Sequence, residues 1–222
     1  MKERLECKGS LIENVNWNRR EVVAVAFTKD DLSILGEIGN ISVGGAASSL
    51  SDFIDRFVTI TCPESEFVSF AELKKRFGSG LVVTKVDFAE GFNSSNFMLM
   101  EQEKALEFVQ IIAREKVGAL ISDWDEFAQE VMAEVFNIMT GHMSTSLSDL
   151  FRNNISINPP QVYQASIDTW DAFYDDDMLV AIWFDVGIEQ EFSFQIIKLI
   201  EPKQAKQMVD ILKGEMGEWV SE

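Results

Sequence analysis

The sequence predicts an α+β fold: a pseudo-two-fold duplicated unit with a shared β-sheet and two long motif-bearing helices. Three observations carry that expectation. A block starting at Glu37, EIGNISVGGAASSLSDFIDRFVTITCP, lies without a gap over a block starting at Glu134, EVFNIMTGHMSTSLSDLFRNNISINPP, 97 residues further on. Apolar strand-like runs and amphipathic helical stretches follow in the same order in both halves. The composition, 222 residues with 46% hydrophobic and 25% charged, 4 Pro and 13 Gly, is that of a chain able to bury a full core.

Identities between the two blocks fall at Glu37 and Glu134, Asn40 and Asn137, Ile41 and Ile138, Gly44 and Gly141, the Ser-Leu-Ser-Asp run at 49–52 and 146–149, and Pro63 and Pro160. They read as an internal duplication. Residues 1–27 lie outside it and include a β-like VVAVAF run. Residues 28–222 form one domain of two repeats, about 28–121 and 122–222. Each repeat reads as helix, strand, a variable stretch (64–80 and 161–177), hairpin and helix. The hairpin strands are 81–88 with 97–100 in the first copy, and 178–186 with 197–200 in the second. Gly91 and Gly187 mark the turns, and Glu101 and Glu201 open the last helix of each half. Each half is about 95 residues and carries a strand set too small to cover itself, so the halves are expected to share a sheet.

The first helix starts at a capping pair, Thr28 with Asp31 three residues on. Ile34, Ile38 and Ile41 recur at helical spacing and predict its buried face. Ser33, Glu37, Asn40 and Gly44 form a separate stripe a quarter to a third of a turn away. In the second helix Met132, Val135 and Met139 supply the apolar positions, while Glu134, Asn137 and Gly141 repeat the stripe. An i, i+3 pair sets a carboxylate beside a carboxamide, and the glycine after it leaves nothing to obstruct an approaching surface. Either stripe alone reads as a solvated helix face. Retention of the polar residues in both copies points to a function.

Charge and rare residues exclude much else. Thirty-seven acidic against 19 basic residues give a formal −18, which disfavours nucleic acid and anionic membrane surfaces as partners. The single histidine, His142, leaves little room for a His-based zinc site or a Ser-His-Asp triad. Two distant cysteines, Cys7 and Cys62, suit a reducing compartment. No apolar run approaches a membrane span, and MKERLECKGSLIEN lacks an h-region, so a cytoplasmic protein without signal peptide or membrane insertion is expected.

The pattern Ser33-x3-Glu37-x2-Asn40-x22-Pro63, with its second copy Glu134-x2-Asn137-x22-Pro160, resembles the signature of the CheC, CheX and FliY family of CheY-phosphate phosphatases from bacterial chemotaxis. The flanking GEIGNISVGGAASSLS is most similar to its FliY members. The resemblance spans nearly all of residues 28–214. It implies a CheC-like fold and a hydrolase acting on the aspartyl phosphate of CheY. Asn40 and Asn137 would hold the attacking water in line, and Glu37 and Glu134 would contact a lysine of CheY to fix the docked pose. Ser33, Gly44, Pro63, Gly141 and Pro160 would support the motif. The implied chemistry needs no cofactor of this chain, because Mg²⁺ is carried by CheY. The implied partners are phosphorylated CheY and either the flagellar switch proteins of FliM, FliN and FliG type, at the basal body, or the deamidase CheD. A non-catalytic adaptor using the same surfaces is the alternative of another class. Glu130 stands where the family favours Asp or Ser, so the first site follows the pattern more closely. The N-terminal CheY-binding peptide and C-terminal FliN-like domain that FliY proteins usually carry are not read in this sequence.

Other features receive structural readings. The aspartates 168, 171 and 175–177 lack EF-hand spacing and read as a solvated loop. His142 is expected at the surface. Cys62 is expected as a buried structural thiol without electropositive neighbours. Gly44-Gly45 lacks the Lys-Ser/Thr of a P-loop.

Overall fold

The computed structural model describes residues 27–118, 120–170, 172–173 and 177–214. The elements run α1 (Lys29–Ile54), β1 (Val58–Ser69), α2 (Phe70–Lys74), β2 (Gly80–Glu90), β3 (Ser95–Glu101), α3 (Gln102–Val117), α4 (Glu126–Phe151), β4 (Ser156–Ile157), β5 (Gln161–Ser166), β6 (Met178–Ile188), β7 (Phe192–Ile200) and α5 (Pro202–Lys213). The VVAVAF run up to residue 26, Cys7 and the aspartates 171, 175 and 176 lie outside the described residues.

The duplication is visible in the backbone. α1 and α4 are both 26 residues long, and the bounds of one lie 97 residues from those of the other. Both end on a left-handed residue, Asp55 (φ 56°) and Arg152 (φ 52°), whose N–H bonds the carbonyl of Ser51 or Ser148. The same two serines accept from the chain that follows: Val58 N–H, at the start of β1, donates to Ser51 Oγ at 2.9 Å, and Ile155 N–H, just before β4, to Ser148 Oγ at 3.0 Å. These hydroxyls satisfy main-chain donors where the helix stops, which sets the angle at which each chain leaves its helix.

The sheet has seven strands in the order β1-β6-β7-β3-β2-β4, with β5 also paired to β2, and all pairings are antiparallel. Its middle is the pairing of β3 with β7: Phe97 opposes Leu199, Met98 opposes Lys198 and Leu99 opposes Ile197. The strand order is the same read from either end once copies are exchanged, so the pseudo-two-fold axis passes through the Met98–Lys198 pair. The shared sheet expected from the repeat is therefore observed.

Side-chain alternation gives the sheet two buried faces. Val82, Met98, Met100, Val180, Ile182, Phe184, Ile196 and Ile200 pack under α1, α3, α4 and α5. Leu81, Val83, Phe97, Leu99, Ile197 and Leu199 pack on the opposite face with Phe70 and Leu73 of α2 and with Trp170 and Phe173. Phe97 and Trp170 meet edge to face there, centroids 5.4 Å apart.

Three details differ from the sequence expectation. Residues 64–69 continue β1 along β6 rather than forming a variable stretch. Gly187 is not a turn residue: it lies inside β6 opposite Thr59 and Ser193, where a Cβ would come 2.8 Å from Thr59 Oγ1. The turn follows at 189–191, whereas Gly91 does occupy its turn, at φ 100°. Glu101 and Glu201 sit at the N-caps of α3 and α5, but neither carboxylate caps its helix.

Candidate functional site

The two stripes lie on α1 and α4. Thr28 and Asp31 form a capping box at the start of α1, with Asp31 N–H donating to Thr28 Oγ1 and Thr28 N–H to Asp31 Oδ2. Leu35, Ile38, Gly39, Ser42, Val43, Ala46, Leu50 and Ile54 then face the sheet. Ser33, Glu37, Asn40 and Gly44 remain exposed, as the spacing predicts. On α4, Asp125 caps the helix, Met132, Val135 and Met139 are buried as expected, and Glu134, Asn137 and Gly141 are exposed. A Cβ built on Gly44 or Gly141 would meet no atom within 4 Å, so both helix surfaces are open to a docking partner. Glu130, the counterpart of Ser33, is exposed too.

Ile41 departs from the expectation of a buried face: it is 39% exposed, beside Glu37, Asn40 and Gly44 rather than beneath the helix. The face that meets the sheet is lined by small residues, Gly39, Ser42 and Ala46, which bring the helix close to β1 and β6. A Cβ on Gly39 would lie 2.8 Å from Cys62 Sγ and 3.1 Å from Ile182 Cγ2. A large apolar residue at that contact would force the layers apart.

Both prolines of the motif follow the helix into the sheet region. Pro63 lies in β1 where the pairing with β6 shifts register between Thr61 and Glu64, and Pro160 precedes β5. The residue before Pro63, Cys62, donates its main-chain N–H to Asn40 Oδ1 at 2.9 Å. That bond ties the exposed carboxamide of the first stripe to the sheet. In the second copy the aligned residue is Pro159, which has no N–H, and the Asn137 side chain makes no hydrogen bond among the described residues.

The Cys62 thiol is free and buried, and burial, with the charges of Glu37 and Asp185, pushes it up to about 11. It is structural, as expected, but its surroundings are not free of positive charge: Lys198 of β7 lies within electrostatic range. Lys198 is 7% exposed and forms no ion pair among the described residues, and burial pulls its ammonium down to about 8. His142 is exposed, one residue after Gly141, and hydrogen-bonds Ser49 Oγ of α1 at 2.6 Å. Gly45 makes room for it: a Cβ there would sit 3.2 Å from His142 Nδ1.

Among the described residues no three His, Cys, Asp or Glu side chains converge as a metal site, and no helix is long and apolar enough to cross a membrane. The two helices present a carboxylate and a carboxamide each, groups that can accept or donate hydrogen bonds to a partner and a water.

The fold and these stripes define a duplicated α+β protein with two matching exposed polar helix faces. Residues 31–66 and 127–163, the two copies, each match the model of the CheC-like family. It is 29% identical over 191 residues to the flagellar motor switch phosphatase FliY of Bacillus subtilis (strain 168), covering 82% of this chain and 50% of that protein. It is 28% identical over 159 residues to the CheY-P phosphatase CheC of the same organism, covering 68% of this chain and 73% of that one. This chain therefore spans half the length of the FliY relative. In structure it is similar to Thermotoga maritima FliY, with a TM-score of 0.76, 24% identity, and 86% of this chain and 100% of the other covered. The FliM middle domain of H. pylori has the same fold at 7% identity, with a TM-score of 0.67 over 83% of this chain and 99% of that one.

Proposed function

We propose that this chain hydrolyses the aspartyl phosphate of a CheY-type response regulator, at two sites, as part of the flagellar motor switch. The observation that carries the reading is the recurrence of an exposed Glu and Asn, one turn apart beside an open glycine, at aligned positions of α1 and α4. The two curated relatives, one named for CheY-P and the other for the motor switch, support the substrate and the setting.

An acyl phosphate is already reactive toward water, so the protein's contribution is to place the nucleophile. Asn40 or Asn137 enters the phosphorylated site and holds one water opposite the aspartyl oxygen. The water oxygen bonds to phosphorus as the bond to the aspartyl oxygen breaks, releasing inorganic phosphate and the free carboxylate. A carboxamide suits the role because it donates and accepts hydrogen bonds without titrating. Glu37 or Glu134 pairs with a lysine of the regulator and sets the approach. Mg²⁺ belongs to the regulator and arrives with the substrate. Adding the chain to phosphorylated CheY with Mg²⁺ accelerates phosphate release on this reading; an unchanged phosphate lifetime refutes it.

A further inference from the structure

The two stripes match in sequence, yet the carboxamides at their centres are held differently. Asn40 Oδ1 accepts the Cys62 N–H at 2.9 Å. A main-chain N–H can only donate, so the bond defines which end of the carboxamide faces β1 and leaves Nδ2 as the end not bound to the strand. The donor is available because the β1–β6 ladder breaks here: Thr61 opposes Asp185, the next pairing is Glu64 with Trp183, and Pro63 between them has no N–H to offer. The approach of α1 that brings Asn40 within reach depends on Gly39, whose missing side chain admits Cys62 Sγ.

The second copy reproduces the helix, its left-handed cap and the serine bond to the chain that follows, but not this tether. Pro159 occupies the position of Cys62 and Phe136 that of Gly39, and the Asn137 side chain is left without a hydrogen bond among the described residues. We propose that the Cys62 main-chain N–H is a positioning group that holds the Asn40 carboxamide ready for docking, that Pro159 denies this to Asn137, and that the first site therefore turns over faster than the second.

This inference rests on the phosphatase reading. Holding a side chain before docking removes the ordering cost that a loose one meets in the complex, which corresponds to about three- to tenfold in turnover for one rotamer-rich side chain.

The test uses the full chain and phosphorylated CheY with Mg²⁺. In an Asn137→Ala background, where only the first site acts, Cys62→Pro lowers kcat about three- to tenfold with KM within about twofold. Cys62→Ala, which keeps the N–H and removes the thiol, recovers that loss. Equal kcat in Cys62→Pro and Cys62→Ala overturns the proposal. The Pro-Pro pair at 159–160 is native to the second copy, and melting curves show whether Cys62→Pro folds. If it does not, the two single-site chains decide: Asn137→Ala, with the first site alone, has the higher kcat, and a kcat equal to or below that of Asn40→Ala, with the second site alone, overturns the proposal. Amide hydrogen exchange provides a readout independent of activity. The Cys62 N–H exchanges slowly in the native chain and faster in Asn40→Ala; equal rates overturn the tether. If the native chain leaves the phosphate lifetime unchanged, the phosphatase reading falls; if Asn40→Ala with Asn137→Ala stays fully active, the assignment of the asparagines falls and the inequality with it; in either case the exchange rates still show whether the tether itself exists.

Discussion

Lys213 Nζ, in the last turn of α5, donates to Asp31 Oδ1 in the first turn of α1 at 2.6 Å. Asp31 is 2% exposed, also caps α1 through Thr28, and lies 4.0 Å from Lys206. The helix that carries the first stripe is thus anchored at its start by the C-terminal helix of the other repeat. The lysine bond, with the Thr28 bonds, holds Asp31 down at about 2.

Replacing Asp31 by Asn removes the ion pair and weakens the cap, and is expected to cost about 1–3 kcal/mol of stability, with both lysines able to rehydrate. The folded carboxylate titrates below its ordinary 3.8, so its contribution is fully present above that value and is lost as pH falls through about 2. Melting temperatures of the native chain and Asp31→Asn converge in that acid window.

Glu201 behaves oppositely. Burial, partly offset by Lys203, lifts its carboxyl to about 7, and it makes no capping bond to α5. The folded state holds this proton more tightly than the unfolded one, so the group lowers stability above about 7, and the penalty fades as pH falls toward 4.5. Glu201→Gln is expected to raise stability by about 1 kcal/mol at pH 8 and to make no difference near pH 4.

Lys198 is buried on the pseudo-two-fold axis opposite Met98, the residue aligned with it in the other copy. With its folded value down at about 8 against an ordinary 10.5, stability rises with pH across that interval. Lys198→Met is therefore expected to stabilise the chain by about 1–3 kcal/mol at pH 7, measured by urea denaturation, and by less above pH 10.

Two glycines of α1 separate folding from docking. Gly44→Ala fills open space in a helix interior and is expected to stabilise by about 0.5–1 kcal/mol, whereas Gly39→Ala collides with Cys62 Sγ and destabilises. Gly44→Gln with Gly141→Gln leaves the melting temperature within a few degrees and raises KM for the phosphorylated regulator, because side chains now stand where the partner approaches.

The repeat made much of this legible in the sequence. A constant offset over α1 and α4 located both helices, the polar stripes and the symmetric sheet, because duplication preserved the residues that cap, pack and present them. Ile41 was misread for a physical reason. Periodicity of large apolar residues alone does not mark which positions are buried, and here Gly39, Ser42 and Ala46 share the buried face with Leu35, Ile38, Val43, Leu50 and Ile54 while Ile41 stays outside it. Lys198 was hidden because an isolated lysine in an apolar strand gives no sign of which face it occupies or that no carboxylate awaits it. The Asn40–Cys62 bond joins a helix to a strand break 22 residues away, which no local pattern encodes, although the mismatch of Cys62 with Pro159 was visible in the alignment of the copies.

The proposed activity turns on Asn40 and Asn137 positioning the attacking water. Phosphate release from phosphorylated CheY with Mg²⁺, measured with the native chain and with the Asn40→Ala, Asn137→Ala double variant at matched melting temperature, tests it most directly. Acceleration by the native chain and decay at the intrinsic rate with the double variant are expected. Equal acceleration by both would contradict it.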